Sequence, residues 1–191
     1  NQGGENGILA SPGKYTTGAD NGLLGETQQA RSHYAALGAK DFGTEGNASE
    51  QSGTSIFDPV LCELAYRWFS PPNGAVLDPF SGGSVRGIVA SFLGRSYTGI
   101  ELREDQIAAN IPQAAALGLS PRWLLGDSAN VREIAAGEYD LLFSCPPYYD
   151  LELYSDLEGE LSAAPTYAAF IEQYRRIVSE CLALLKDNRF A

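Results

Sequence analysis

From residue 54 onward, short apolar runs alternate with segments whose apolar positions recur every three or four residues. The short runs predict buried strands, and the longer segments predict amphipathic helices. The predicted strands cover residues 75–77, 97–101, 123–125 and 139–143, and the predicted helices cover residues 85–93, 104–117, 130–136 and 167–186. Short strands that alternate with helices indicate an α/β fold, with a mostly parallel sheet covered by helices on both faces.

Local signals mark the ends of several elements. Asp58 and Pro59 predict the start of a helix, with aspartate as the N-cap and proline at the first helical position. The run Ser70-Pro71-Pro72 ends that helix. Its apolar residues are Val60, Leu61, Leu64, Ala65 and Trp68. The last predicted helix carries on one face Phe170, Ile171, Tyr174, Ile177, Val178, Cys181, Leu182 and Leu185, and a fifth strand is expected to begin at residue 189.

Residues 1–53 differ in composition from the rest of the chain. They contain 11 of the 21 glycines, together with scattered Asn, Ser, Thr and Gln, and few apolar residues in register. Such a composition offers little to bury, so we expect a glycine-rich arm or linker with at most one short helix at residues 26–37. Residues 54–191 are then the folded domain. The chain contains no methionine, and a new strand is expected at its end, so we expect a fragment whose C-terminal strands are missing.

Composition narrows the function classes. No apolar run reaches the roughly 18 residues that a bilayer span needs, and no secretory leader opens the sequence, so we expect a cytoplasmic protein without a membrane partner. The chain has 13 basic and 24 acidic residues, a formal charge of −11. This is the wrong sign for a self-sufficient nucleic-acid binder, whose basic surface displaces counterions from phosphates. Any nucleic-acid function would therefore need basic surface from another region or chain.

The cysteines and the single histidine give little support for a metal or a disulfide framework. Cys62, Cys145 and Cys181 are an odd number without metal-ligand spacing, and His33 lies in a polar region without an evident partner. Cys62 and Cys181 lie among helical apolar residues and are expected in the core. Only Cys145 lies where chemistry is expected.

Polar and glycine-rich segments follow each predicted strand. The first strand ends in Asp78-Pro79-Phe80-Ser81-Gly82-Gly83-Ser84, and glycines at such a turn let a ligand approach the backbone. Glu101 ends the second strand, 19 residues after Gly82, where an acidic residue can accept hydrogen bonds from ribose hydroxyls. Asp127 follows the third strand and could bind an adenine amino group or cap the next helix.

The fourth strand runs into Ser144-Cys145-Pro146-Pro147-Tyr148-Tyr149. Two consecutive prolines cannot donate to a sheet ladder, so the strand must end there. Ligands bind beyond the carboxyl ends of parallel strands, which places this loop beside the glycine turn in the predicted site.

These four segments, in this order, resemble the motifs of S-adenosylmethionine-dependent DNA amino-methyltransferases. The resemblance covers residues 54–191 and rests mainly on Asp78-Pro79-Phe80 and Pro146-Pro147-Tyr148. It implies a Rossmann-like class I methyltransferase fold, S-adenosylmethionine as cofactor, and methyl transfer to adenine N6 or cytosine N4 of a base flipped out of DNA.

The resemblance also implies a role for each site residue. Asp78, Phe80, Gly82 and Gly83 would surround the methionine part of the cofactor, Glu101 would bind the ribose, and Asp127 and Ser128 the adenine. Phe57, in Ser55-Ile56-Phe57-Asp58, would close over the cofactor. In the catalytic loop Cys145 would be the first hydrogen-bond acceptor for the amine, the Pro146 carbonyl the second, and Tyr148 the ring that stacks on the base, with Pro147 keeping the loop rigid.

Two positions depart from the family pattern and leave alternatives open. Cysteine stands where the family carries Asp, Asn or Ser, and a thiol is a weak acceptor. Ser84 stands where a second glycine is common. A Cys145 thiolate could instead attack C6 of a pyrimidine for methylation at C5, in DNA or RNA, although the acidic residues that follow would disfavour a thiolate. A third alternative is a catalytically silent subunit with the cofactor fold.

Overall fold

A computed structural model describes residues 57–149 and 154–191 of the chain. The predicted arm at residues 1–53, its short helix at residues 26–37, Ser55 and Ile56 lie outside the described residues. Within them, the order of elements is α1 (Pro59–Phe69), β1 (Ala75–Asp78), α2 (Val85–Phe92), β2 (Ser96–Glu101), α3 (Glu104–Ala115), β3 (Arg122–Leu125), α4 (Val131–Ile134), β4 (Tyr139–Leu142), α5 (Tyr167–Leu182) and β5 (Leu185–Phe190). Short 3₁₀ turns cover Ser128–Asn130 and Leu161–Ala163.

The five strands form one sheet in the order β3-β2-β1-β4-β5, and every neighbouring pair is parallel. This confirms the predicted α/β class and the predicted strands. The strand order reverses at β1, which pairs with β2 on one side and with β4 on the other, while all strands keep the same direction. Such a switch point leaves a crevice beyond the carboxyl ends of the two central strands, where open α/β sheets bind ligands.

Helices cover both faces of the sheet. One face packs against α4 and α5 through an apolar cluster. Its buried members are Leu77, Ile100, Val131, Ala135, Tyr139, Leu142, Ile177 and Cys181. On the other face α2 lies so close to β2 and β3 that a Cβ on Gly87 would come within 2.8 Å of the Trp123 ring and 2.9 Å of the Tyr97 ring. Glycine at position 87 therefore allows α2 to approach the sheet.

The predicted α1 forms where expected, but its buried face differs from the prediction. Asp58 accepts hydrogen bonds from the backbone amides of Val60 and Leu61, at 2.7 and 3.1 Å, and so caps the helix. The buried residues are Cys62, Ala65 and Tyr66, whereas Val60, Leu61, Leu64 and Trp68 are exposed. Because α1 is apolar on nearly every side, periodicity alone could not choose its face.

The C-terminal boundary is also corrected. The helix predicted over residues 167–186 ends at Leu182, and β5 begins at Leu185 rather than at residue 189. Leu182 is 45% exposed and is not part of the buried face, while Phe170, Ile177 and Cys181 are buried as predicted. The sequence of β5, Leu-Lys-Asp-Asn-Arg-Phe, has no apolar alternation because it is an edge strand with little buried surface.

A buried carboxylate holds this polar edge strand in the sheet. Asp140 in β4 accepts hydrogen bonds from the Ala75 amide, the Lys186 ammonium and the Arg189 guanidinium, each at 2.9 Å. Burial opposes its charge, but these three donors outweigh that effect and lower the pKa of Asp140 from 3.8 to about 2. Asp140 thus links β1, β4 and β5.

We expect Asp140→Asn to lower the free energy of unfolding by about 2 kcal/mol at neutral pH, because Lys186 and Arg189 lose their counter-charge. Asp187→Asn, on the same edge strand but exposed, is the control and should cost less than about 0.5 kcal/mol. A folded-state pKa below the unfolded value means that this stabilisation is complete above 3.8 and is lost as the pH falls toward 2. Urea unfolding across this range measures both effects, and equal losses in the two variants would contradict the assignment.

Candidate functional site

The glycine turn and the proline loop lie side by side at the switch point of the sheet. Leu77 at the end of β1 pairs with Leu142 at the end of β4, and the Phe143 amide donates to the Leu77 carbonyl at 3.0 Å. The segment after β1 carries Phe80, and the segment after β4 carries Cys145. Strand register therefore brings together the two segments that the sequence predicted to meet.

Asp78 is the last residue of β1, at the carboxyl edge of the sheet, and is 0% exposed. Its carboxylate accepts four hydrogen bonds: from Arg86 Nε at 2.6 Å, from the Tyr97 hydroxyl at 2.7 Å, from Ser144 Oγ at 2.5 Å and from the Phe80 amide at 3.2 Å. A buried carboxylate is tolerated only when its charge is compensated and its oxygens are bonded. All of these partners belong to the chain itself, so Asp78 organises the site from within.

Arg86 connects the Asp78 carboxylate to the backbone of the turn after β1. Besides its ion pair with Asp78, its Nη2 donates to the carbonyls of Phe80 and Ser81, at 2.5 and 3.0 Å. Burial of Arg86 opposes its charge, but the adjacent Asp78 outweighs this and raises the pKa of Arg86. Burial also raises the pKa of the Tyr97 hydroxyl, so it stays a neutral donor. The turn after β1 is therefore fixed by two carbonyl contacts from one buried guanidinium.

Ser144 joins the two segments directly. Its hydroxyl donates to Asp78 and accepts from the Phe80 amide at 3.1 Å. Sequence reasoning did not single out Ser144 or Arg86, because a serine before a loop and an arginine at a helix start usually face solvent. The available signal was the position of Ser144 directly after the apolar run Leu141-Leu142-Phe143, at the end of a central strand, where its hydroxyl can reach the end of the neighbouring strand.

The peptide of Gly82 is held from both sides. Glu101 Oε2 accepts from the Gly82 amide at 2.8 Å, and Asn110 Nδ2 donates to the Gly82 carbonyl at 2.8 Å. Glu101 Oε1 accepts from the Arg103 amide at 3.0 Å. Burial raises the pKa of Glu101, and the two amide hydrogen bonds limit that rise. Gly82 has a φ of +48°, a left-handed conformation that favours glycine.

One side of the glycine turn is open. A Cβ built on Gly82 or on Gly83 would meet no atom of the described residues within 4 Å. The neighbouring Ser84 hydroxyl donates to Gln113 Oε1 at 2.5 Å instead of entering this space. The turn can therefore accept a ligand against its backbone, and each oxygen of Glu101 keeps a second lone pair for a hydroxyl group.

The residues after β3 are committed mainly to the protein. Asp127 caps the following turn by accepting from the Ala129 amide at 2.8 Å, and the buried Ser128 hydroxyl donates to the Pro79 carbonyl. A Cβ on Gly159 would lie 2.9 Å from Asp127 Oδ2, so the segment after the catalytic loop approaches Asp127. Of the two roles considered for Asp127, the structure shows the cap. The Ser128 hydroxyl ties the glycine turn to this cap.

The Cys145-Pro146-Pro147-Tyr148 loop follows the end of β4. Cys145, Pro146 and Pro147 are half-buried, and Tyr148 is 55% exposed. Cys145 makes no hydrogen bond or ion pair with a described residue. The Tyr148 ring is exposed, and its role in stacking on a base stays a prediction.

Phe57 packs behind the loop. Its ring meets Phe143 edge-to-face, with centroids 5.6 Å apart, and the Arg86 guanidinium lies 4.9 Å from its centroid. The residue predicted to close over the cofactor thus contacts the network around Asp78.

A ladder of aromatic rings links the glycine turn to the loop after β4. Phe80 stacks on Tyr174, with centroids 6.2 Å apart, and Tyr174 stacks on Phe170 at 6.3 Å. Phe170 in turn stacks on Tyr167 at 6.1 Å, and Tyr149 contacts both Phe170 and Tyr167, at 5.5 and 5.6 Å. Phe170 and Tyr174 were predicted on the apolar face of this helix, and together with Tyr167 their helical spacing was the signal for a ring ladder.

The other two cysteines are core residues, as predicted. Burial raises the pKa of the Cys62 and Cys181 thiols to about 12 in each case. No helix among the described residues has the length and apolar character required to traverse a bilayer.

Solved structures resemble this chain in fold. TrmN from Thermus thermophilus aligns with a TM-score of 0.56 at 22% identity, over 71% of this chain and 37% of that one. A methyltransferase from Pyrococcus furiosus aligns with a TM-score of 0.54 at 16% identity, over 84% of this chain and 74% of that one. SMU.1697c from Streptococcus mutans, described as a candidate methyltransferase in complex with SAH, aligns with a TM-score of 0.50 at 10% identity, over 69% of each chain.

These likenesses establish the Rossmann-like class I methyltransferase fold. The chain spans little more than a third of the Thermus structure and about three quarters of the Pyrococcus structure. No protein-family model and no curated protein sequence matches the chain.

We expect Arg86→Met to lower the free energy of unfolding by about 3 kcal/mol, because it leaves the Asp78 carboxylate buried without its cation. Arg67→Met is the matched control, since Arg67 pairs with Glu63 at the surface at 2.7 Å with its side chain 56% exposed, and should cost less than about 1 kcal/mol. Urea unfolding compares the two. Equal losses would show that the Asp78 network does not organise the fold.

Proposed function

We propose that this chain is a methyltransferase that moves a methyl group from S-adenosylmethionine to an exocyclic amine of a DNA base, adenine N6 or cytosine N4. The observation that carries the proposal is the Ser144 hydroxyl, which bonds both Asp78 and the Phe80 amide. Through it the glycine turn and the Cys145-Pro146-Pro147-Tyr148 loop form one unit. The methyltransferase fold supports methyl transfer, and the residues of the site carry the proposal because a fold by itself does not specify a function.

The residues present fit the cofactor. Its methionine part would pass along the open side of Gly82 and Gly83, and its ribose hydroxyls would bond the remaining lone pairs of Glu101. Phe80 would supply an apolar wall, and Asp127 the adenine end through its second oxygen. When bound, the cofactor supplies a methyl group activated by a sulfonium. Asp78, Phe57 and the Ser128 hydroxyl act indirectly in this proposal, because their contacts lie within the protein.

The chain's part in the reaction is to prepare and place the amine. The lone pair of an exocyclic amine is delocalised into the base ring, so hydrogen-bond acceptors that pull on its protons favour a tetrahedral, nucleophilic nitrogen. The Pro146 carbonyl and Cys145 Sγ are the acceptors at the loop, and the diproline keeps them in place. The exposed Tyr148 ring stacks on the base. The gain in rate comes mostly from alignment of amine and methyl.

DNA remains the proposed substrate, with the base flipped out to reach the loop. The net charge of −11 means that recognition and most of the basic surface would come from elsewhere, either another region or a partner chain. The alternative in which Cys145 attacks a pyrimidine needs a cation or helix N-terminus to stabilise its thiolate. Among the described residues, Cys145 has no ion-pair partner, which favours the acceptor role.

The test is mass spectrometry of nucleosides from DNA and RNA incubated with the full chain and S-adenosylmethionine carrying a deuterated methyl group. We expect label on N6 of deoxyadenosine or N4 of deoxycytidine. Label on C5 of a pyrimidine would contradict the proposal and support a Cys145 nucleophile. Cofactor binding without any labelled nucleoside would support a silent subunit.

Cys145→Ser separates the two roles of the cysteine. If Cys145 is an acceptor, serine should retain the rate within a few-fold or increase it, because a hydroxyl accepts more strongly than a thiol. Cys145→Ala removes the acceptor and should lower kcat by about 10-fold with cofactor affinity unchanged. If serine and alanine both abolish activity, the acceptor role is wrong and a covalent role is supported.

A further inference from the structure

Beside the catalytic loop, the outer side of α5 forms an open groove of about 550 Å³. It is lined by Tyr167, Ala168, Ile171, Glu172 and Arg175. The groove adjoins the loop because the ring of Tyr149 contacts that of Tyr167, with centroids 5.6 Å apart. A strand whose target base reached Tyr148 would have its neighbouring nucleotides at this groove.

Tyr167 offers a stacking surface there. Its ring is packed on one side by Phe170 and Tyr149, yet the residue is 61% exposed. An aromatic ring that is supported from behind and open in front is the arrangement on which nucleic-acid bases stack, with little dependence on sequence. The side chain is also held in place by its neighbours, so stacking would cost little side-chain entropy.

An arginine without an ion-pair partner among the described residues lies at the same place. Of the ten basic residues in the described part of the chain, six pair with a carboxylate, and Arg95 donates to Ser70 and nearby carbonyl oxygens. The three that have no partner among the described residues are Arg122, Arg175 and Arg176. Two of these three lie together on α5, and Arg175 lines the groove.

The residues along the groove offer contacts that a nucleotide can use. The first turn of α5 carries no acidic residue, and the guanidinium of Arg175 is free to pair with a phosphate. Glu172 lies between Tyr167 and Arg175 in the chain, and it would repel a phosphate but could accept a hydrogen bond from a base amino group. The groove thus offers a ring, an acceptor and a cation.

We infer that this groove binds the nucleic-acid strand next to the target base, with a flanking base stacked on Tyr167 and a backbone phosphate on Arg175. The inference rests on the proposed function, since it takes the substrate to be a polynucleotide. It also gives an acidic chain a local basic contact without a basic surface overall.

The test is fluorescence anisotropy of a labelled oligonucleotide with the full chain, as single strand and as duplex, at several salt concentrations. Arg175→Gln should weaken binding about 10-fold and reduce the salt slope by about 1, because one phosphate contact is lost. Arg176→Gln is the matched control: it removes an equally unpaired arginine that does not line the groove, and it should change affinity less than about twofold. Tyr167→Leu should weaken binding about 10-fold, and Tyr167→Phe should restore it.

Cofactor affinity, measured separately, keeps this inference distinct from the proposed function. All four variants should bind S-adenosylmethionine as the parent chain does. Equal effects of Arg175→Gln and Arg176→Gln, or no binding of either oligonucleotide by the parent chain, would overturn the inference. If oligonucleotide binding depends on Arg175 but the cofactor does not bind, the inference that the groove binds nucleic acid is supported and the proposed methyl transfer is contradicted.

Discussion

The buried charge of Asp78 is the constraint on which the site depends. A carboxylate with no exposed surface must be fully compensated, and here the four donors come from four separate segments: the turn after β1, α2, β2 and the loop after β4. Loss of Arg86 would leave the charge without a counter-ion, and loss of a neutral donor would weaken the hydrogen bonding of the buried carboxylate. The energetic cost of that burial therefore fixes the glycine turn, the first turn of α2 and the start of the loop after β4 relative to one another.

Carboxylates also fix neighbouring segments at two other places in the sheet. Asp140 uses its buried charge to hold the polar edge strand, and Glu101 uses both carboxylate oxygens to fix the peptides of Gly82 and Arg103. Apolar packing forms the sheet and its helices, but it does not distinguish small shifts of a loop. Directional hydrogen bonds to buried carboxylates do distinguish such shifts. These bonds lie at the strand ends, where a reaction would need accurate geometry.

The fold was predictable from the sequence because strand length, helix periodicity and the order of elements are local properties. The strand ends that carry Gly82, Glu101 and Cys145 followed directly from that order. The partners of Asp78 were not predictable, because Arg86, Tyr97 and Ser144 meet it only through strand register and helix packing. The fifth strand was predicted to start at residue 189 rather than at Leu185 for a related reason: its polar residues pair in the sheet because Asp140, 46 residues before Lys186, stabilises them. A segment that is held in place by a buried charge lacks the hydrophobic periodicity from which strands and helices are predicted.

A crystal structure of the full chain with S-adenosylhomocysteine bound would test the central claim most directly, namely that Asp78 organises a cofactor site next to the catalytic loop without touching the ligand. The account predicts the ligand along the open side of Gly82 and Gly83, its ribose on Glu101, its sulfur toward Pro146, and Asp78 still bonded to Arg86 and Ser144. A ligand that bonds Asp78 directly, or that lies away from the glycine turn, would contradict it.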